Sequence, residues 1–172
     1  DTLSGGAGAD TINGAGGSDT ISYAYLDNSK ALKLDLLNES STVVGDSADD
    51  DTIYSIENAI GGAGNDSMQG TEGANILQGG SAGNDTFVGL GGNDTIYGGI
   101  FDGTTHTDSG SDTVDYTSEN KINVTLEDLT TAQSVVTVDK DADGTFEATT
   151  DDEQDSLYGI ENIIGSDSGN DT

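Results

Sequence analysis

The chain has 172 residues, with 33 acidic side chains against four lysines and no arginine, for a formal charge of -29. That balance argues against nucleic acid or an anionic membrane as partner, since both need clustered Lys and Arg. With no cysteine, disulfides, thiolate metal sites and thiol nucleophiles are excluded.

One histidine, His106, excludes a multi-His transition-metal centre, and no apolar run approaches the ~20 residues of a membrane span. Proline is absent and glycine reaches 26 residues. By charge and hydrophobicity alone such a chain is disordered unless a periodicity overturns that reading. The length suits one domain or two small units in series. The chain opens on DTLSG, without an initiator Met or a signal peptide, and reads as a piece of something longer.

In chain order, GGAGADTIN (5–13) is followed without a gap by GAGGSDTIS (14–22). Glycine stands at the first and fourth places, aspartate at the sixth and isoleucine at the eighth. A first insertion follows. Within it ALKLDLLN (31–38) alternates Leu32, Leu34 and Leu36 with polar residues, a strand pattern. Its acidic stretch GDSADDD (45–51) reads as a solvated charge run. A second run then brings GGAGNDSMQ (61–69), GTEGANILQ (70–78), GGSAGNDTFV (79–88) and GLGGNDTIY (89–97). An interrupted copy starts at 98–99 and resumes as SGSDTVDY (109–116), with His106 in the intervening loop as a surface residue.

The second insertion carries another alternating strand, KINVTLED (121–128), with Ile122, Val124 and Leu126 on one face. SVVTV (134–138) and TFEAT (145–149) flank VDKDADGTFE (138–147) and suggest a hairpin. Asp139, Asp141 and Asp143 followed by Gly144 have the front half of an EF-hand loop, but Thr150 stands where its twelfth-position glutamate belongs. A metal-binding turn and a plain Asp-Gly hairpin both remain open there. DSLYGIENIIGSDSGNDT (155–172) repeats DTIYSIENAIGGAGNDS (51–67), as SDTVDY (111–116) repeats SDTISY (18–23). Tyr23, Tyr54, Tyr116 and Tyr158 recur at matching places and are expected to pack where the insertions leave and rejoin the repeats. The organisation is therefore a nonapeptide run (1–22), an inserted β segment (23–60), a second run (61–116, interrupted at 100–108), a longer inserted β segment (117–164) and the start of a further repeat (165–172).

The apolar eighth position is held by Ile12, Ile21, Met68, Leu77, Phe87, Ile96 and Val114. A flexible linker has no reason to keep a hydrophobe at that spacing. These residues resemble the RTX (hemolysin-type) calcium-binding nonapeptide, G-G-x-G-x-D-x-U-x with U a large apolar residue. The SDTVDY and GIENIIGS stretches also resemble bridging segments of large bacterial RTX proteins. The resemblance implies an all-β fold, a right-handed parallel β-roll (a β-helix or solenoid) of calcium-binding nonapeptides with two inserted hairpin-like segments. Glycines would allow a tight turn whose carbonyls point to one side, and each aspartate would add a hard anionic oxygen.

The implied calcium ligands are Asp1, Asp10, Asp19, Asp66, Asp85, Asp94, Asp112 and Asp171, with Asn75 as an uncharged and therefore weak or empty place. The turn residues Gly6, Gly8, Gly17, Gly62, Gly64, Gly80 and Gly92 would contribute the backbone side of the sites. Asp66 and Asp85 would lie on one side of the roll, Asn75 and Asp94 on the other. Asp139, Asp141 and Asp143 are the further metal candidates.

With one loop histidine and no cysteine, a nucleophile–base pair is missing, so the segment reads as non-catalytic. Several Ca2+ ions are the expected cofactors, and neighbouring repeats of the parent chain the expected partners. The resemblance implies a secreted bacterial protein, exported by type I secretion, whose module folds on meeting millimolar calcium. Two other readings stand beside it: an adhesin module whose insertions recognise polysaccharide or a surface partner, and an accessory module of a secreted protease, lipase or epimerase.

Overall fold

The computed structural model describes residues 1–43, 47–118, 122–126, 133–138 and 153–165. Its strands are β1 (Thr2–Leu3), β2 (Thr11–Asn13), β3 (Thr20–Ser22), β4 (Leu32–Asp35), β5 (Ser40–Val43), β6 (Thr52–Tyr54), β7 (Asn58–Ile60), β8 (Ser67–Gln69) and β9 (Ile76–Gln78). They continue with β10 (Thr86–Val88), β11 (Thr95–Tyr97), β12 (Ile100–Phe101), β13 (His106–Thr107), β14 (Thr113–Asp115), β15 (Ile122–Leu126), β16 (Gln133–Val138), β17 (Glu153–Tyr158) and β18 (Asn162–Ile164).

Among the described residues these strands make two eight-stranded sheets and one small antiparallel pair, β12–β13. The first sheet runs β1-β3-β7-β9-β11-β17-β16-β15, the second β18-β14-β10-β8-β4-β5-β6-β2. Within each nonapeptide run the chain alternates between sheets, so β7, β9 and β11 fall in one while β8 and β10 fall in the other. Parallel neighbours need a crossover between them, and here the strand of the opposite sheet, with its two glycine turns, is that crossover. The fold is all-β, with parallel pairing throughout the repeats and antiparallel pairing in the insertions.

A three-residue strand can bury only its middle side chain, because successive residues face opposite sides. The eighth-position hydrophobes are those middle residues. In one sheet Leu3, Ile21, Ala59, Leu77, Ile96 and Leu157 are in register. In the other the row is Leu34, Met68, Phe87, Val114 and Ile163. Both rows belong to one core cluster, with Leu3 and Ile163 partly buried against it. The flanking positions are mostly Thr, Ser, Asn and Gln, which suit the solvated face of a short strand.

The insertions enter the sheets differently. In the first, β4 pairs parallel with β8, then β4, β5 and β6 follow antiparallel, and β6 returns to pair with β2. Leu32, Leu34, Leu36 and Val43 are buried there. Across the molecule β3 and β7 pair directly, so the first insertion widens one sheet only. The second insertion instead extends an edge: β16 pairs antiparallel with β17 on one side and with β15 on the other. SVVTV is thus flanked by residues 122–126 and 153–158, whereas its expected hairpin partner TFEAT lies outside the described residues.

Three expectations need correction. Tyr23 and Tyr116 are buried and donate their hydroxyls to Asp51 Oδ2 (2.9 Å) and Asp155 Oδ2 (2.7 Å), so they do lock the insertions back onto the repeats. Tyr54 is exposed, because it ends a strand whose middle residue, Ile53, takes the core place. Tyr158 stacks on Tyr97, with ring centroids 4.7 Å apart, and Tyr97 on Phe101 at 5.1 Å, a ridge beside the core and not in it. The acidic run is not simply solvated either. Asp49 Oδ1 accepts the Gly8 N–H (2.8 Å), Asp50 Oδ1 that of Val43 (3.1 Å), and Asp51 is buried. Finally, residues 106–107 form β13, so His106 stands in a strand pair and not in an open loop.

Candidate metal sites

Each nonapeptide turns sharply over its first six residues, and the sixth enters the body of the fold. Asp19, Asp66, Asp85, Asp94 and Asp112 are at most 2 % exposed. The reason is a ladder of backbone hydrogen bonds. Asp66 N–H donates to Asp85 Oδ1 (2.8 Å), Asp85 N–H to Asp112 Oδ1 (2.6 Å) and Asp112 N–H to Glu161 Oε2 (2.8 Å). On the other sheet's side Asn75 N–H donates to Asp94 Oδ1 (2.8 Å), and Asp94 N–H to Asp155 Oδ1 (2.8 Å). The first run is completed by its insertion: Asp10 N–H donates to Asp51 Oδ1 (2.8 Å) and Asp19 N–H to Glu57 Oε2 (2.9 Å). Charged acceptors make such bonds short and comparatively strong.

Asp51, Glu57, Asp155 and Glu161 are rungs of this ladder that nonapeptide spacing misses. A signal for them exists in the sequence: the duplicated stretches 51–58 and 155–162 keep Asp at the first place and Glu at the seventh. The asparagine after them is equally repeated. Asn58 donates to Ser18 Oγ (2.9 Å) and Asp19 O, as Asn162 donates to Ser111 Oγ (3.0 Å) and Asp112 O.

The second carboxylate oxygen explains the first glycine of each repeat. An added Cβ would stand 2.6 Å from Asp10 Oδ2 at Gly5, 2.8 Å from Asp19 Oδ2 at Gly14 and 2.5 Å from Asp66 Oδ2 at Gly61. Glycine is required at Gly5 by the carboxylate packed on it, and at Gly14 and Gly61 by that carboxylate together with the carbonyls of Ser55 and Gly79, each 2.2 Å from an added Cβ. Conformation decides elsewhere: Gly80 has a φ of +128° and lies against the Gly62 carbonyl.

Burial of a row of like charges is electrostatically costly. The Oδ2 atoms of Asp10, Asp19 and Asp112 are buried and accept no hydrogen bond. Burial pushes the Asp85 carboxyl up to about 8, helped by the charges of Asp66, Asp112 and Asp108. It pushes Asp112 up to about 7, with Asp108 and Glu161 adding to the effect. Asp66 is raised for the same first cause, against hydrogen bonds from Leu32 and Gly62 that lower it. Buried anionic oxygens without hydrogen bonds fit a hard cation, and calcium takes such oxygens six to eight at a time.

The remaining candidate positions differ in their surroundings. Asp1 keeps its side chain exposed, while its backbone carbonyl accepts Thr20 N–H (2.7 Å). Gly6 O accepts the Tyr25 hydroxyl (2.5 Å), Gly62 O the Ser81 N–H (2.9 Å), and Gly92 N–H donates to Glu153 Oε1 (2.8 Å). Gly8 and Gly17 have φ of +108° and +124°, and Gly64 packs on the Lys30 carbonyl. Asp139, Asp141, Asp143 and Asp171 lie outside the described residues.

Asn75 acquires a reason. Its Oδ1 accepts the Thr71 N–H (2.7 Å) and its Nδ2 donates to the Glu57 carbonyl (2.6 Å). The neighbouring coil presents a carbonyl here, where the one beside Asp66 presents the Leu32 N–H (2.8 Å). A carboxylate would face that carbonyl oxygen. Asn75→Asp is therefore expected to destabilise the calcium-saturated chain by about 1–3 kcal/mol, the cost of a buried polar mismatch. Urea unfolding in excess calcium measures this, and unchanged stability would contradict it.

Residues 1–23, 60–82 and 80–104 match the family described as RTX calcium-binding nonapeptide repeat (4 copies). Residues 1–23 and 60–104 carry RTX repeats. RTX nonapeptide repeats bind calcium ions, and their presence in these stretches suggests a calcium-binding structural module. No curated protein matches the chain.

Proposed function

We propose that the chain is a calcium-driven folding module, a right-handed parallel β-roll that forms when the RTX turns fill with calcium. The carboxylates of Asp66, Asp85 and Asp112 serve one side and that of Asp94 the other. Asp10 and Asp19 act with the residues their insertion brings, and carbonyls of the turns around Gly6, Gly8, Gly17, Gly62, Gly64, Gly80 and Gly92 complete the coordination. Without calcium the -29 charge keeps the chain expanded. That state suits export of an unfolded chain, with folding at the millimolar calcium outside the cell. The module would then be a structural part of a larger secreted or surface protein.

The observation that carries this reading is the ladder of buried aspartates together with the buried second oxygens of Asp10, Asp19 and Asp112, which accept no hydrogen bond. A fold that buries carboxylates in this way gains most of its stability from the ion that neutralises them, so binding and folding are one equilibrium. Circular dichroism during a calcium titration tests it, with magnesium as control. The expected result is coil in chelator and strand in calcium alone. Full strand signal in chelator at neutral pH would sink the proposal.

A further inference from the structure

We propose that the calcium site at Asp112 takes Asp108 and Glu161 as two further carboxylate ligands, an arrangement closed by the second insertion and without a counterpart at the first. Ligand oxygens of these three carboxylates lie within 4.8 Å of one another. Asp112 is 0 % exposed, and its Oδ1 is occupied by the Asp85 N–H (2.6 Å). Its Oδ2 is buried and accepts no hydrogen bond, an arrangement that calls for a cation. Asp108 and Glu161 reach it from the solvent side, so water can fill the rest of a calcium shell, as calcium's variable coordination allows. None of the three residues falls in the stretches that match the RTX repeat, which end at 104.

The duplicated unit supplies an internal comparison. Asp19 and Glu57 occupy the places of Asp112 and Glu161, and Glu57 Oε2 accepts the Asp19 N–H (2.9 Å) as Glu161 Oε2 accepts that of Asp112 (2.8 Å). Asn58 and Asn162 repeat each other's contacts as well. At the place of Asp108, four residues before the aspartate, the first copy has Ala15. The ladder therefore closes without a third carboxylate. Asp108 is an addition that the shared hydrogen bonding does not require, and it brings a third negative charge to a buried one.

The inference rests on the calcium-dependent fold, since Glu161 meets Asp112 only in the folded chain. The test is equilibrium dialysis of the whole chain against radiolabelled calcium, with circular dichroism to confirm folding. Asp108→Asn and Glu161→Gln are compared with Asp66→Asn, a change in the nonapeptide sites. Glutamine at 161 keeps an acceptor for the Asp112 N–H, and Asp108 has no rung in the ladder, so its variant decides if Glu161→Gln fails to fold. The expected result is a folded chain that binds one calcium fewer in each of the first two variants. Unchanged calcium binding in both, with binding lost in Asp66→Asn, overturns this site alone. Unchanged binding in all three overturns it together with the nonapeptide reading.

Discussion

Phe87→Ala is expected to raise the calcium concentration needed for folding more than any exposed substitution does. Phe87 is fully buried, in register with Met68 on one side and Val114 on the other. Truncating a buried phenylalanine costs about 3–5 kcal/mol, a large share of the ~5–15 kcal/mol that holds a typical domain together. A three-residue strand gives the core one side chain per turn, so a gap at Phe87 has no second layer to close over it. Because binding and folding are coupled, the loss must be offset by more calcium. Leu37→Ala is the control: Leu37 is 45 % exposed, and its truncation should stay within about 0.5 kcal/mol. A calcium titration followed by circular dichroism compares the two midpoints. Equal midpoints would mean that the apolar row contributes little and that the metal sites alone hold the fold.

The apolar rows were legible because nine-residue spacing repeats one element, and a repeated element must repeat its burial. Ile21, Met68, Leu77, Phe87, Ile96 and Val114 needed no further information. The partners of the first two aspartates were not legible in the same way. Asp10 and Asp19 find Asp51 and Glu57 across an insertion of different length and pattern, and only the folded sheet shows which residues return to the ladder. Two local readings failed for a shared reason. By composition GDSADDD is a solvated run and Tyr54 a packing residue, but composition says what a residue prefers and not which backbone groups stand opposite it. Asn75, a departure from the repeat, is matched to the Glu57 carbonyl that the insertion turns toward it. At the head of the repeats glycine answers to close approach: a neighbouring backbone carbonyl stands 2.2 Å from an added Cβ at Gly14 and Gly61, and the aspartate oxygen crowds all of Gly5, Gly14 and Gly61.

Acidification should partly replace calcium. In chelator, strand signal is expected to grow as the pH falls from about 8 toward 5, the range over which folded and unfolded chains differ in bound protons. In the fold Asp85 titrates at about 8 and Asp112 at about 7, and Asp66 is raised, all from an ordinary 3.8. A carboxyl raised by folding holds its proton more tightly in the folded state than in the unfolded one. The metal-free fold is therefore favoured at low pH and loses stability as the pH rises through the window between those values. The sign reverses for calcium: the ion needs the same oxygens deprotonated, so its affinity should fall as the solution is acidified. General relief of a -29 charge would also compact the chain, but exposed carboxylates titrate near 4 and remain ionised through most of this window. Asp85→Asn separates the two causes. It removes a buried titrating charge, so in chelator near neutral pH it should be more folded than the parent, with a weaker pH response and poorer calcium binding. If the variant and the parent share one pH profile, buried aspartates do not govern the metal-free equilibrium, and net charge does.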